Sequence, residues 1–298
     1  MLSMASALKR AATHFAGRPA MIDENGRQTT WREHVDRVAR LAGALPGWGL
    51  RSGSRFAILA PNAINQAEVI HAGYWSGSIP VPINYRLALP EISALLNDSD
   101  AKVLFVAPQF ESIAQQLVSI GWGGRQISLS HDANYSDTEQ AIGQNFPIDP
   151  HPANETDVAL LLFTGGTTGS GKGVPLTHRN IVSNGFQVGL ALGAGPQDRF
   201  LHVAPMFHSA DLLGTAVTLT GGAHSYLGTP TPDKFADAIE SQRITMTMIP
   251  PVLLQALVQA SLLSGRDLQS LRVFISGGAP VPFELLERAQ QILPNGTM

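Results

Sequence analysis

The segment LLLFTGGTTGSGKGVPLTHRN, Leu160 to Asn180, places glycines, threonines, a serine and a lysine directly behind an apolar run. Glycines let a backbone come close to a bulky anion, while main-chain N–H groups and threonine hydroxyls donate to its oxygens. Lys172 adds a mobile positive charge. A polyphosphate suits this donor set, so Thr164, Gly165, Gly166, Thr167, Thr168, Gly169 and Lys172 are the candidate cofactor-binding residues of the loop. One reading is the P-loop of nucleoside triphosphatases, because Gly166, four residues, Gly171 and Lys172 match most of that pattern. The match stops at Gly173, where Mg²⁺ needs a hydroxyl, and at Val174 and Pro175, where a long helix should open. A glycine-rich hairpin without a ligand is the plainer alternative, although the threonines and the lysine exceed what a turn requires.

Two further stretches hold candidate residues. In PMFHSAD, His208 follows Pro205 and Phe207. An imidazole can donate a hydrogen bond to a carboxylate without a full charge at neutral pH. Asp211 lies three residues on and can equally cap a helix at Leu212. Gly277, Gly278, Ala279 and Pro280 follow the apolar run RVFIS. Small residues at the carboxyl end of a strand admit a flat ligand. A satisfied structural histidine, and a tight strand-to-helix turn before Pro282, would explain the same residues without chemistry. His71, His151 and His224 lack the spacing of metal ligands, so no metal site is expected.

These residues need a scaffold, and the chain reads as strands alternating with helices. RFAILA (Arg55–Ala60), KVLFVA (Lys102–Ala107), VALLLF, FLHVA, HSYL, TMTMI and RVFIS have the apolar, β-branched character of buried strands. NQAEVIHAGYWSG, ESIAQQLVSIG, DKFADAIESQR, PVLLQALVQASLL and PFELLERAQQI read as helices between them. Thr30 and Glu33 have capping-box spacing ahead of Val35, Val38, Ala39 and Ala42 on one helical face, and Pro46 and Gly47 stop that helix. His131 to Asp157 is polar and carries prolines, and reads as a connection over the surface. The alternation implies a largely parallel sheet covered by helices.

Composition narrows the function classes. Of 298 residues, 44% are hydrophobic and 14% charged, which permits a sizeable core and argues against disorder. The net charge of −3 implies no basic face for nucleic acid or an anionic membrane. With no cysteine there is no disulfide, thiolate metal site or cysteine nucleophile, as suits a reducing compartment. The N-terminus MLSMASALKRAATHFAGRP lacks a secretory pattern, and no apolar run approaches the roughly 20 residues of a membrane span. A cytoplasmic protein is expected.

FTGGTTGSGKGVPLTHRNI closely resembles the phosphate-binding signature of AMP-forming adenylate synthetases, a superfamily that includes acyl-CoA synthetases, peptide-synthetase adenylation domains and luciferases. Its usual form is Thr-Ser-Gly-Thr-Thr-Gly-x-Pro-Lys-Gly-Val. Thr164, Gly166, Thr167, Thr168, Gly169, Lys172, Gly173 and Val174 fall in register, while Gly165 replaces the common serine and Gly171 the common proline. The N-terminal run from TTWREHVDRVARLAGAL onward, VAPMFHSADLL and ISGGAPV are similar to further family segments in the same order.

The resemblance implies a layered αβαβα fold of two mostly parallel sheets flanked by helices. Residues 51–190 would form a first α/β subdomain with the phosphate-binding loop, and 1–50 plus 191–298 a second. It also implies activation of a carboxylic acid by ATP to an acyl-adenylate, then transfer to the thiol of coenzyme A, with Mg²⁺ assisting. By the same resemblance Thr164 to Lys172 hold the β- and γ-phosphates, His208 sits where ATP and the acyl carboxylate meet, and Gly277, Gly278, Ala279 and Pro280 line the adenine and acyl pockets. An acyl lining near Phe207–Leu213 and Gly277–Val281 that is mostly apolar and small implies a fatty or aromatic acid rather than a dicarboxylate. An amino-acid-activating domain is the alternative.

The family's later motifs, a Tyr-Gly-x-Thr-Glu whose glutamate binds Mg²⁺, a Thr-Gly-Asp for ribose, and a small C-terminal domain with a catalytic lysine, are absent from this sequence. The expectation is the N-terminal portion of an acid–CoA ligase, inactive alone. A complete but catalytically inactive nucleotide-binding module is the alternative.

Overall fold

The computed structural model describes residues 2–130, 132, 136–164, 171–259 and 265–292. Twelve strands are found among them: β1 (Pro19–Ile22), β2 (Gln28–Thr30), β3 (Arg55–Leu59), β4 (Ile79–Pro82), β5 (Val103–Val106), β6 (Arg125–Ser128), β7 (Val158–Phe163), β8 (Gly173–Thr177), β9 (Arg199–His202), β10 (Ala223–Tyr226), β11 (Met246–Ile249) and β12 (Val273–Ser276). They form a six-stranded sheet in the order β12-β11-β9-β10-β1-β2, a four-stranded sheet β4-β3-β5-β6 and the hairpin β7-β8. All pairs in the two larger sheets are parallel except β1 with β2.

The layering follows from the two-residue period of a strand, which sends successive side chains to opposite faces. In the four-stranded sheet, Phe56, Ile58, Val103 and Phe105 pack into a central core. Their neighbours Ala57, Leu59, Leu104 and Val106 pack into an outer core with Ile92, Leu96 and Leu117. In the six-stranded sheet, Leu201 and Phe274 face a second outer core with Phe235, Ile239 and Leu254. Phe200, Met246 and Val273 face the other way. Helices Met4–His14, Trp31–Ala44 and Ile64–Ser76 contribute to the central core between the sheets. The expected αβαβα arrangement is thus observed, with each sheet buried on both faces as parallel sheets require.

Helix Trp31–Ala44 shows how the sequence specifies this middle layer. Its capping box is present, with Glu33 N–H donating to Thr30 Oγ1 at 3.3 Å and Thr30 N–H to Glu33 Oε2 at 2.8 Å. Trp31, Val35, Val38, Leu41 and Ala42 are buried, and Trp31 Nε1 donates to the Gly222 carbonyl at 3.1 Å. Helix Ile64–Ser76 is buried almost all round, as a helix sandwiched between two sheets must be. Within it Glu68 forms a two-pronged ion pair with Arg37 (2.5 and 3.0 Å), which also binds Glu139.

Two features differ from the sequence expectations. The segment read as a bare surface connection contains a helix, Asp137–Gln144, started by Ser136, whose Oγ accepts from Glu139 N–H at 3.2 Å. Its eight residues are too few to show a clear period, and it gains support from the Arg37–Glu139 pair. The strand β4, IPVP, contains two prolines, and it is tolerated because it lies at a sheet edge.

Candidate active site

The ligand side of a parallel sheet is the carboxyl end of its strands, where loops leave in one direction and converge. Strands β9, β11 and β12 are parallel neighbours, so the loops that follow them meet. After β9 comes Pro205–His208, after β11 Pro250, and after β12 Gly277–Pro280. They enclose a cleft of about 800 Å³ lined by His208, Met248, Pro250 and the whole turn Gly277, Gly278, Ala279 and Pro280. Residues some seventy positions apart are brought together by topology alone. Gly278 has φ +86°, a conformation that a side-chain-bearing residue would adopt only under strain.

His208 lies at the start of a 3₁₀ helix, Ser209–Gly214. Its N–H donates to Pro205 O at 2.9 Å, and its carbonyl accepts from Asp211 N–H at 3.1 Å. The ring rests against Phe207 with centroids 4.5 Å apart. Burial first, and then the nearby charge of Arg86, lower the His208 pKa below the ordinary histidine value. The imidazole is therefore neutral at neutral pH, able to donate from one nitrogen and accept at the other. Arg86 itself lines the cleft from the loop after β4, and exposed Glu284 and Arg288 stand at its edge. The lining is thus more charged than the apolar, small set expected from Phe207–Leu213 and Gly277–Val281. Arg86 carries no signal in the sequence, because it follows a strand of the other sheet.

Beneath His208 lies a second, buried polar assembly. A cavity of about 40 Å³ is lined by His71, Tyr74, His202, Asp211 and Tyr226, with His208 at its edge. His202 Nδ1 is 2.5 Å from Asp211 Oδ1, His202 Nε2 is 2.9 Å from His224 Nδ1, and His224 Nε2 is 3.0 Å from Thr218 Oγ1. These contacts join Thr218, both histidine rings and the Asp211 carboxylate into one hydrogen-bonded chain. His34 Nε2 and His71 Nδ1 form a further contact at 2.9 Å. Burial holds His34 and His224 well below the ordinary histidine value and brings His71 down to about 3. Among the described residues no group of three or more histidine, aspartate and glutamate side chains could hold a metal ion. They offer no carboxylate set for Mg²⁺, and no step is assigned to it.

Of the phosphate-binding candidates, only Thr164 and Lys172 are among the described residues. Gly165, Gly166, Thr167, Thr168 and Gly169 lie outside the described residues. Thr164 and Lys172 face each other across the mouth of the hairpin, Thr164 N–H donating to Lys172 O at 3.0 Å, and neither lines the large cleft. The chain after Lys172 continues as β8, antiparallel to β7, instead of opening a helix. That geometry excludes the P-loop of nucleoside triphosphatases. It also explains Gly171, because a Cβ there would come within 2.6 Å of the Thr164 carbonyl oxygen. Thr177 then caps helix His178–Leu192 with a reciprocal Thr177–Asn180 box.

Comparison with known proteins gives a consistent result. A family described as AMP-binding enzyme matches residues 8–298. A feruloyl-CoA synthase from Amycolatopsis is 34% identical over 270 residues, covering 90% of this chain and 52% of that protein. A long-chain-fatty-acid–CoA ligase from Mycobacterium tuberculosis is 29% identical, covering 83% of this chain and 49% of that protein. The chain spans about half the length of the curated relatives it matches. Among solved structures, the inhibitor-bound N-terminal domain of FACL13 from Mycobacterium tuberculosis superposes with a TM-score of 0.90 at 24% identity, covering 99% of this chain and 74% of that one. ATP-bound MatB from Rhodopseudomonas palustris gives 0.85 at 24% identity, covering 96% of this chain and 57% of that one.

Proposed function

The chain belongs to the AMP-binding enzyme family, and from that premise we propose that it forms the ATP- and acyl-binding part of a carboxylic acid–CoA ligase. The observation that carries this reading is the shared cleft of about 800 Å³, in which His208 meets the Gly277–Pro280 turn at the carboxyl ends of β9, β11 and β12.

In this reading the acid's carboxylate oxygen attacks the α-phosphorus of ATP, a P–O bond forms to the acyl group, and the bond to pyrophosphate breaks. Such a step needs positioning and stabilisation of charge more than covalent help from the protein. His208, neutral and at the mouth of the cleft, donates a hydrogen bond to the incoming carboxylate and adds no second positive charge beside Arg86. The small residues of the Gly277–Pro280 turn accommodate the adenine and the near end of the acyl chain. Thr164, Gly165, Gly166, Thr167, Thr168, Gly169 and Lys172 bind the β- and γ-phosphates, the lysine neutralising the charge that grows on departing pyrophosphate. The thiol of coenzyme A then attacks the acyl carbon and releases AMP, giving the thioester.

The substrate class is an aromatic or fatty acid. The feruloyl-CoA synthase at 34% identity favours an aromatic one, and proline and methionine side chains give the cleft apolar walls. The test is ATP–pyrophosphate exchange by the enzyme as its host makes it, with hydroxycinnamates, straight-chain fatty acids and dicarboxylates compared. Exchange is expected only when an acid is present, and highest with an aromatic one. Preference for a dicarboxylate would move the substrate assignment to Arg86 and Arg288, and exchange with no acid of any class would remove the ligase reading.

A further inference from the structure

His208 has no side-chain hydrogen bond of its own among the described residues. One side of it faces the large cleft, another the 40 Å³ cavity, and its ring contact is with Phe207. Its position in space is therefore set by the backbone that carries it, and that backbone is held from two sides.

The first hold is Asn62, just beyond the carboxyl end of β3 in the opposite sheet and 5% exposed. Its Nδ2 donates to the carbonyls of His202 (3.1 Å) and Ala204 (2.9 Å), and its Oδ1 accepts from Met206 N–H (2.9 Å). This amide orientation is the one that pairs every group, so one side chain fixes three alternate residues of the segment leading to His208. The second hold is Asp211, one 3₁₀ turn beyond His208, whose carboxylate is tied to the His202 ring at 2.5 Å. His202 in turn is stacked on Tyr226 (centroids 4.5 Å) and locked through His224 to Thr218.

We propose that Asn62 and Asp211 are positioning residues that hold the His202–Asp211 segment as one rigid arch and so present His208 at the mouth of the cleft. The proposal rests on the ligase reading of His208. Asn62 spans the gap between the two sheets, so the arch also fixes the distance from His208 to groups on the four-stranded sheet, Arg86 among them. Displacing a reacting-group partner by about 1 Å lowers a rate by roughly 100-fold when the chemistry depends on alignment. Neither side chain needs to touch the substrate for its loss to be felt.

The experiment compares Asn62→Ala, Asp211→Ala, Asp211→Asn and His208→Ala in the enzyme as its host makes it. Acid-dependent pyrophosphate release is expressed per folded molecule, and the His208 ring is followed by ¹⁵N chemical shift against pH. Both alanine variants at the arch are expected to lower kcat about 10- to 100-fold with KM for ATP within about threefold of the parent. Their His208 titration is expected to move up toward the ordinary histidine value. Asp211→Asn keeps an oxygen to accept from His202, and it is expected to stay within about threefold of the parent. A parental kcat and a parental His208 titration in both alanine variants would overturn the proposal, whatever their melting temperature, and would leave the ligase reading standing. Equal losses in Asp211→Asn and Asp211→Ala would overturn the hydrogen-bonded hold. A parental rate in His208→Ala would overturn the assignment of His208 itself, and the proposal with it.

Discussion

Acid should unfold this protein unusually early, and the histidines beneath the site set the size of the effect. His34 and His224 are buried with pKa values held well below 6.5, and burial lowers His71 to about 3. Neighbouring groups oppose protonation further, His71 and Arg37 acting on His34 and His202 on both His71 and His224. In the unfolded chain each ring titrates near its ordinary value. Below about pH 6.5 the unfolded state therefore binds protons that the folded state cannot, and stability falls as pH falls. Their contribution is fully present above pH 6.5 and is lost on the way down toward the folded values.

Each such ring costs about 1.4 kcal/mol per pH unit once its unfolded form is protonated, or about 2 kcal/mol at pH 5. Three rings together cost about 6 kcal/mol, comparable with the whole stability of a typical domain, about 5–15 kcal/mol. The assay is urea unfolding followed by circular dichroism at half-unit steps from pH 7.5 to 4.5. A slope near 4 kcal/mol per pH unit is expected around pH 5.5, corresponding to roughly three protons. Replacing His71 by glutamine should reduce that slope by about one proton. A slope below about 1.4 kcal/mol per unit, less than one proton, would refute the reasoning, because it would mean that these rings take up protons within the fold.

Replacing Lys172 by alanine should remove a charge-assisted contact worth about 1.5–3 kcal/mol, raising KM for ATP roughly 10- to 100-fold with a smaller effect on KM for the acid, as initial rates will show. Glu68 is 2% exposed and shares Arg37 with Glu139, so Glu68→Ala should destabilise the chain by about 3 kcal/mol in urea, toward the lower end for a broken buried pair. Thr30→Ala removes one half of the observed capping box and should cost about 1 kcal/mol in the same measurement.

The elements that the sequence revealed are those whose local chemistry suffices to define them. Thr30–Glu33 and Thr177 announce helix starts, and both caps are present. Runs such as VALLLF and RVFIS are long enough and apolar enough to read as strands, and they are β7 and β12. Short β1 and proline-bearing β4 carry no such pattern, and their pairing partners alone make them strands. The site divides in the same way. His208 and Gly277–Pro280 stand in recognisable segments at strand ends. Asn62 and Arg86 belong to the other sheet, and nothing in their neighbours' identity tells that a loop more than a hundred residues later will close over them. The meaning of Asp211 depends on His202, nine residues earlier and on a different element.

The same burial that should make the histidine assembly acid-labile also suits the chemistry proposed above it. In the proposed reaction His208 approaches a carboxylate near Arg86 as a hydrogen-bond donor, and its partial burial, with Arg86 nearby, lowers its pKa below the ordinary histidine value. That environment needs a rigid floor beneath it. Thr218, His224 and His202 meet this need as a continuous hydrogen-bonded chain that ends on the Asp211 carboxylate. An apolar floor would pack as well but could not grip the His208 segment through Asp211. A floor of charged groups would grip it at the cost of desolvating them. Mutually hydrogen-bonded histidines do both, and because burial keeps His71 and His224 from taking up protons, the site's geometry and the fold should fail together as protons arrive.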